Sequence, residues 1–139
     1  MMKGEYFHSI DVKGRLIVPT KLRDELGEKF TITQGLDGCL YVYSAENWTK
    51  LEEQINKQPH GKGRQLKRFF MSHAVDCGLD SQGRILIPAS LRKFASLEKE
   101  VTIIGVSDRA EIWDKQNWED YNAGIDIAQI EQAMEDIGF

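Results

Sequence analysis

The 139-residue chain is 41% hydrophobic and 29% charged, proportions that are ordinary for a globular protein. No apolar run approaches the roughly 18 residues of a membrane-spanning helix, and the N-terminus lacks the apolar core of a signal peptide. We therefore expect an intracellular protein that has no membrane partner. The two cysteines, Cys39 and Cys77, form no Cys-x-x-Cys pair, which favours two reduced thiols.

The net charge of −4 argues by itself against a nucleic-acid ligand, but the charge is unevenly distributed. Residues 111–139 contain eight acids and one lysine and carry −7, which leaves +3 on residues 1–110. The segment 57–68 has five basic residues and no acid. Because the local field steers a polyanion, a basic face combined with an acidic tail is compatible with nucleic-acid binding.

One segment occurs twice. Residues 11–23 read DVKGRLIVPTKLR and residues 80–92 read DSQGRILIPASLR, at an offset of 69 positions. A solenoid needs about three or more stacked repeats. A single long-period repeat therefore predicts two copies of a small unit.

Each copy begins with an extended run, EYFHSI or AVDCGL, which predicts a strand that leads into an Asp-x-x-Gly turn. The aspartate can accept backbone N–H bonds, and the glycine can supply a positive φ. The apolar runs LIVP and ILIP predict buried strands that end at Pro19 and Pro88. A short helix follows each proline; in the first, Thr20 is the predicted N-cap and Gly27 the predicted stop.

The segments 30–48 and 101–118 also align, now at an offset of 70, and each predicts a strand, a turn, a strand and a helix. Ser44 and Asp114 are the predicted N-caps of helices that open near Trp48 and Trp118. A unit this small cannot bury all its apolar strands alone. We therefore expect the two copies to share one core.

Two segments lie outside the repeats. The connector, from about residue 49 to residue 71, is broken at 58–63 and then predicts a helix with Leu66, Phe69 and Phe70 on one side. The tail places apolar residues at helical spacing on an acidic background: Ile127, Ile130, Met134 and Ile137. We expect the tail helix to pack on its own subunit, with docking on a neighbouring subunit as the alternative.

No pattern typical of an enzyme is present. Asp11 and Asp80 would serve acid–base chemistry only if the two turns met, and no histidine or serine motif accompanies them. His73 and Cys77 have a metal-ligand spacing but would not converge in an extended segment. Phosphate-loop, nucleophile-elbow and dinucleotide motifs are missing. We therefore expect no catalysis, no metal and no cofactor.

The duplicated turn suits binding better. Arg15 and Arg84 each follow the turn glycine, so a planar guanidinium would project from a rigid platform. Such a fork matches phosphate oxygens or the O6/N7 edge of guanine. The alternative is that each turn is only structural and each arginine a solvated strand end. Both interpretations stay open on the residues alone, because duplication preserves fold as readily as function.

The two turn motifs resemble the hallmark of the MraZ family, tandem relatives of the AbrB/SpoVT swapped-hairpin DNA-binding domains. The resemblance covers nearly the whole chain and includes G-E-Y-x-H, Q-G-L-D-G-C-L, R-x-L-K-R-F-F-M-S and I-G-V-S-D-R-A-E-I-W. It implies an α+β, mostly β fold in which half-domains 5–47 and 76–119 intertwine into a pseudo-dimeric barrel. A helical connector, 48–75, would join them, and a C-terminal helix would occupy 120–139.

The resemblance further implies a cytoplasmic, nucleoid-associated bacterial regulator, typically a repressor of its own cell-division and cell-wall operon. Family members form closed rings that bind short, G-rich direct repeats in promoter DNA. The implied partners are thus double-stranded promoter DNA and further copies of the same chain.

The family's Asp-x-x-x-Arg motif falls on Asp11/Arg15 and on Asp80/Arg84. Arg15 and Arg84 are then the leading DNA contacts, and the two aspartates position the turns. Lys13 would assist in the first turn, whereas Gln82 takes its place in the second, so the halves should contact DNA unequally. Weaker candidates are the remaining basic residues near the repeats and in the connector: Arg23, Arg92, Arg64, Lys67 and Arg68.

Two other functions compete with DNA binding by a regulator. A MazE-like antitoxin uses the same fold to bind a protein toxin, but such proteins usually have one half-domain and a disordered tail. Here the second half is a full copy and the tail predicts a helix. A hydrolase is the second rival, and no motif supports it.

Overall fold

The structure, a computed structural model, describes residues 1–139 as eight strands, six α-helices and one π-helical turn. The strands are β1 (Met2–Ser9), β2 (Arg15–Ile17), β3 (Lys29–Gln34), β4 (Leu40–Ser44), β5 (Val75–Gly78), β6 (Arg84–Leu86), β7 (Glu100–Ser107) and β8 (Ala110–Asp114). The helices are α1 (Thr20–Leu26), α2 (Ala45–Asn56), α3 (His60–Leu66), α4 (Ala89–Phe94), α5 (Lys115–Ala123) and α6 (Ile127–Asp136). The π-helical turn (Lys67–Met71) follows α3 directly.

The two copies of the repeat exchange strands. Six strands form one antiparallel sheet in the order β1-β7-β8-β4-β3-β5. In it, β1 of the first copy pairs with β7 of the second, and β5 of the second copy pairs with β3 of the first. The remaining strands, β2 and β6, pair with each other in a separate two-stranded ribbon. Neither copy is therefore a complete unit without the other.

The fold is α+β and mostly β, as predicted, but it contains no closed barrel. Strands β1 and β5 each have one unpaired edge, so the main sheet is open. The reason is that β2 and β6 leave the sheet to pair with each other. No strand remains to join the two edges, and the expectation of a pseudo-dimeric barrel was wrong.

The core lies on both faces of the sheet, because successive side chains of a strand point to opposite sides. On one face, Leu40 and Val42 of β4 pack with the β2–β6 ribbon and with other buried apolar residues from both copies. On the other face, Tyr41 and Tyr43 of β4 pack with Trp113 and with the connector. The core shared between the copies is the one expected from the repeat.

The ribbon is buried on one side only, which corrects the prediction of fully buried strands. Leu16 and Ile85 are 0% and 2% exposed, whereas Ile17 and Leu86 are 43% and 60% exposed. A two-stranded ribbon laid across a sheet covers it with one face and leaves the other in solvent.

Leu16→Ala is expected to lower the free energy of unfolding by about 2–5 kcal/mol, because it removes a fully buried side chain and leaves a cavity. Ile17→Ala, one residue further on, should cost less than about 1 kcal/mol because Ile17 packs on one side only. Urea denaturation of both variants measures the difference. Equal losses would contradict a ribbon with one buried face.

Most helix boundaries follow the predicted local chemistry. Ser44 and Asp114 are N-caps that accept hydrogen bonds from the backbone N–H groups of Asn47 (3.2 Å) and Asn117 (3.0 Å). The helices they cap begin at once, three residues before the tryptophans. Gly27 ends α1 with φ 77°, as predicted.

Two predicted helix boundaries were wrong. Thr20 is the first residue of α1 rather than its N-cap; Pro19 occupies the cap position, without a side-chain hydrogen bond. Proline, with its fixed φ and no N–H, is well suited to a helix start. Helix α3 begins at His60, inside the predicted break at 58–63, and continues through two glycines.

The C-terminal helix does not pack on its own chain, contrary to expectation. Every residue from Tyr121 to Phe139 is exposed, and no residue of α6 is buried. The neighbouring helix α5 does pack on the sheet, through Trp118 and Tyr121, whose ring centroids lie 5.1 and 5.2 Å from that of Trp113.

Candidate nucleic-acid interface

Each Asp-x-x-Gly-Arg turn is closed by its own aspartate. Asp11 Oδ1 accepts the backbone N–H groups of Lys13 and Arg15, both at 2.9 Å. Asp11 Oδ2 accepts Nε–H of Arg15 at 2.6 Å. The aspartate therefore fixes the backbone of the turn and the direction of the arginine together.

The second turn repeats this arrangement. Asp80 Oδ1 accepts the backbone N–H groups of Gln82 and Arg84, and its Oδ2 accepts Nε–H of Arg84, all at 2.9 Å. The side chains of Arg15 and Arg84 are 33% and 23% exposed. Each aspartate holds the Nε side of its guanidinium, and the terminal nitrogens form no hydrogen bond with it.

The two turns lie side by side. Nη1 of Arg84 is 4.0 Å from Oδ2 of Asp11, across the boundary between the copies. The backbone joins them as well: Val18 N–H donates to Gly83 O at 3.0 Å, and Ile87 N–H donates to Gly14 O at 2.9 Å. Both arginines therefore belong to one rigid surface.

The carboxylates of this surface are not built for proton transfer. The backbone N–H of Arg15 lowers the pKa of Asp11, and the backbone N–H of Arg84 lowers that of Asp80. Although the turns do meet, both carboxylates stay ionised and are occupied by hydrogen bonds. Their chemistry is to orient the arginines.

Acid should weaken these turns. Because the folded-state pKa of both carboxyls lies below the ordinary 3.8, their contribution to stability is present above that value and is lost as the pH falls through the lowered pKa. A variant with Asp11→Asn and Asp80→Asn should therefore lose less stability than the parent when acidified from about pH 6 to about pH 3. Urea midpoints across this range measure the difference. Asp24→Asn is the control, because Asp24 accepts no side-chain hydrogen bond and forms no ion pair.

Arg23 and Arg92 pack against the two turns and help to hold them in place. Nε–H of Arg23 donates to Val18 O at 2.8 Å, and Nε–H of Arg92 donates to Ile87 O at 3.0 Å. Each guanidinium then lies against the glycine of the opposite turn, Arg23 on Gly83 and Arg92 on Gly14. A side chain at either glycine would strike this guanidinium, and both glycines have positive φ.

The other predicted cations are placed differently. Lys13 and Gln82 lie at equivalent exposed positions of the two turns, so the first turn carries a positive charge that the second lacks. The connector cations Arg64, Lys67 and Arg68 are exposed on α3 and on the π-helical turn. That connector packs on the face of the sheet opposite the β2–β6 ribbon, so these three cations do not join the turns.

The sequence analysis did not predict two residues of this surface, Ile17 and Leu86. The exposed face of the ribbon carries Arg15 and Ile17 from β2, and Arg84 and Leu86 from β6. The signal was available: a strand that begins with a solvent-directed arginine exposes the residue two positions later as well. The continuous apolar runs LIVP and ILIP favoured buried strands instead.

Other site types receive no support from the geometry. No group of three or more His, Cys, Asp or Glu side chains is arranged to hold a metal ion. His73 Nδ1 lies 3.0 Å from Phe69 O, and Cys77 Sγ donates to Val75 O at 3.7 Å. None of the helices combines the length and the apolar character needed to cross a membrane.

Comparison with known proteins identifies the family. A family model described as "MraZ protein, putative antitoxin-like" matches twice, over residues 1–68 and 70–138. The protein named transcriptional regulator MraZ of Thermoanaerobacter sp. (strain X514) is 50% identical over 141 residues, which cover 99% of both chains. The protein of the same name from Caldanaerobacter subterraneus subsp. tengcongensis is 52% identical, over 92% of this chain and 91% of its own length. That from Moorella thermoacetica is 51% identical, over 87% of this chain and 86% of its own length. The two family matches each contain one Asp–Arg turn, and the chain belongs to the MraZ family of transcriptional regulators.

Proposed function

We propose that this chain is a non-enzymatic, sequence-specific DNA-binding repressor of its own cell-division and cell-wall operon. It would act in the cytoplasm at the nucleoid, with 5–47 and 76–119 as its two DNA-reading half-domains. The observation that carries the proposal is the pair of aspartate-held guanidiniums on one exposed ribbon face.

The geometry suits the major groove of DNA. That groove admits a two-stranded β-ribbon, and an arginine there donates two parallel hydrogen bonds to guanine O6 and N7. Arg15 and Arg84 have their Nε atoms engaged by aspartate, so the two terminal nitrogens would supply such a fork. In Arg84, Nη1 also lies 4.0 Å from Oδ2 of Asp11 and would turn from it to the base. Because the aspartates fix the forks before binding, little conformational freedom would be lost on contact.

Lys13 and Gln82 would make the two halves unequal. Both side chains are exposed in the turns. On DNA they would lie near the phosphates that border the groove. A lysine neutralises one phosphate and releases its counterion, whereas a glutamine supplies only a neutral hydrogen bond. We expect the first half to contribute more of the salt-dependent binding energy.

A ring of several copies would multiply this weak binding. Separate readers joined in one assembly bind spaced direct repeats with an avidity that no single reader attains. The ring needs a head-to-tail contact between two different surfaces of the chain. We assign one of them to α6, whose apolar side chains are exposed: Ile127, Ile130, Met134 and Ile137.

The complementary surface lies along the connector. A shallow groove of about 310 Å³ is lined by Leu36, Lys62, Gln65, Leu66, Phe69 and Phe70. All of these residues except Leu36 belong to a segment, 57–71, with five basic residues and no acid, whereas residues 116–139 hold six acids and no base. Apolar and charge complementarity both favour docking of one copy's α6 in this groove of the next copy. A ten-residue helix is marginal alone in water, so such docking would also stabilise it.

The rival function is binding of a protein toxin, to which the antitoxin-like family description points. It would use the same fold, but the two intact Asp–Arg turns on one face are better matched to a regular polyanion than to one protein surface. A flat response of DNA binding to rising salt would favour the antitoxin.

The proposal is tested by selecting bound sequences from random double-stranded DNA. We expect short, guanine-rich motifs that recur at regular spacing, and binding that weakens steadily as salt rises. Random sequences without enrichment, or affinity independent of salt, would contradict the assignment.

A further inference from the structure

The exposed face of the ribbon is apolar as well as basic. Residues that alternate along each strand place Ile17 beside Arg15 and Leu86 beside Arg84. Across the ribbon, Ile17 is paired with Arg84 and Leu86 with Arg15. Each aliphatic side chain thus faces the guanidinium of the other copy.

Folding does not account for these two side chains. Their neighbours Val18 and Ile87 are 4% and 0% exposed and supply the core packing, whereas Ile17 and Leu86 are 43% and 60% exposed. Both copies nevertheless place a large aliphatic residue at this position. Its remaining apolar surface gains free energy only when a ligand covers it.

The major groove offers one apolar element, the C5 methyl group of thymine. We propose that Ile17 and Leu86 contact thymine methyl groups next to the guanines that Arg84 and Arg15 bind. The inference rests on the proposed DNA-binding function and adds a second base to its recognition pattern.

The spacing of the ribbon sets where these thymines fall. Side chains directly opposite each other in an antiparallel pair are separated by about 5 Å at Cβ. Successive base pairs are about 3.4 Å apart along the helix axis. An aliphatic side chain opposite a guanine-bound arginine therefore reaches the adjacent base pair or the one after it.

Deoxyuridine provides the test, because it differs from thymidine only by the missing methyl group and keeps all base-pairing atoms. The probe is a duplex with a single copy of the selected motif, so that avidity does not contribute. Replacing each thymine within two pairs of a contacted guanine should weaken binding about fourfold per methyl group, measured by fluorescence anisotropy at constant salt.

The protein side of the test uses the double variant Ile17→Ser with Leu86→Ser. It should bind the thymine and uracil duplexes equally well, because both side chains that contact the methyl groups are gone. Phe7→Ser, which changes another exposed apolar residue away from the ribbon, should keep the discrimination of the parent.

The outcomes separate this inference from the function on which it rests. Equal affinity of the parent for both duplexes would overturn methyl recognition, while loss of binding in Arg15→Ala and Arg84→Ala would leave the DNA-binding function standing. Discrimination that persists in this double variant would likewise overturn the role of Ile17 and Leu86. If the arginine variants bind like the parent, the proposed function itself fails.

Discussion

Arg15→Ala and Arg84→Ala are each expected to weaken specific DNA binding by about 1–3 kcal/mol, the value of one bidentate arginine–guanine contact. The fold should persist, because both side chains lie partly in solvent and each aspartate retains its two backbone hydrogen bonds. Titration of each variant against the chain's own promoter measures the loss. Thermal unfolding provides the check on folding.

Arg15→Lys and Arg84→Lys are the matched controls for charge. Lysine keeps the positive charge but has neither the planar fork nor an Nε–H for the aspartate. Lysine variants should therefore retain non-specific DNA affinity and its salt dependence while losing preference for guanine. Promoter binding that is unchanged in both alanine variants would remove these turns from the DNA interface.

Blocking α6 should abolish assembly. Ile130→Asp with Met134→Asp would place two charges on the apolar face of α6, and Leu36→Asp with Lys62→Glu would alter the groove. Since a charge buried against apolar surface costs several kcal/mol, each double variant should weaken self-association by about two orders of magnitude or more. Light scattering after size-exclusion chromatography should then report monomers.

Mixing the two blocked variants tests the head-to-tail arrangement. One variant keeps an intact groove and the other an intact α6, so an equimolar mixture should form a one-to-one dimer and stop there. Ala128→Asp with Gln132→Asp adds two charges at the same spacing on the polar face of α6 and should assemble like the parent. A mixture that stays monomeric would contradict this interface. So would assembly of the variant with Ile130→Asp and Met134→Asp. Binding to a duplex with a single motif should survive in all these variants, because Arg15 and Arg84 are unchanged.

Much of the site was predictable because it depends on residues close together in the chain. An aspartate four positions before an arginine can bond the turn and the guanidinium within one loop. The caps at Ser44 and Asp114 and the stop at Gly27 are equally local. Wherever a hydrogen bond spans only a few residues, its chemistry is visible in the sequence.

The sequence alone reveals a duplicated unit, two turns in which an aspartate precedes an arginine by four positions, and a resemblance to one family. Three-dimensional packing brings the two turns together, places Arg23 against the turn of the other copy, and leaves Ile17 facing solvent. It also showed an open sheet in place of a barrel and an α6 without a partner in its own chain. These features depend on strands exchanged between segments about seventy residues apart, and the free energy of that pairing has no local signature in the chain.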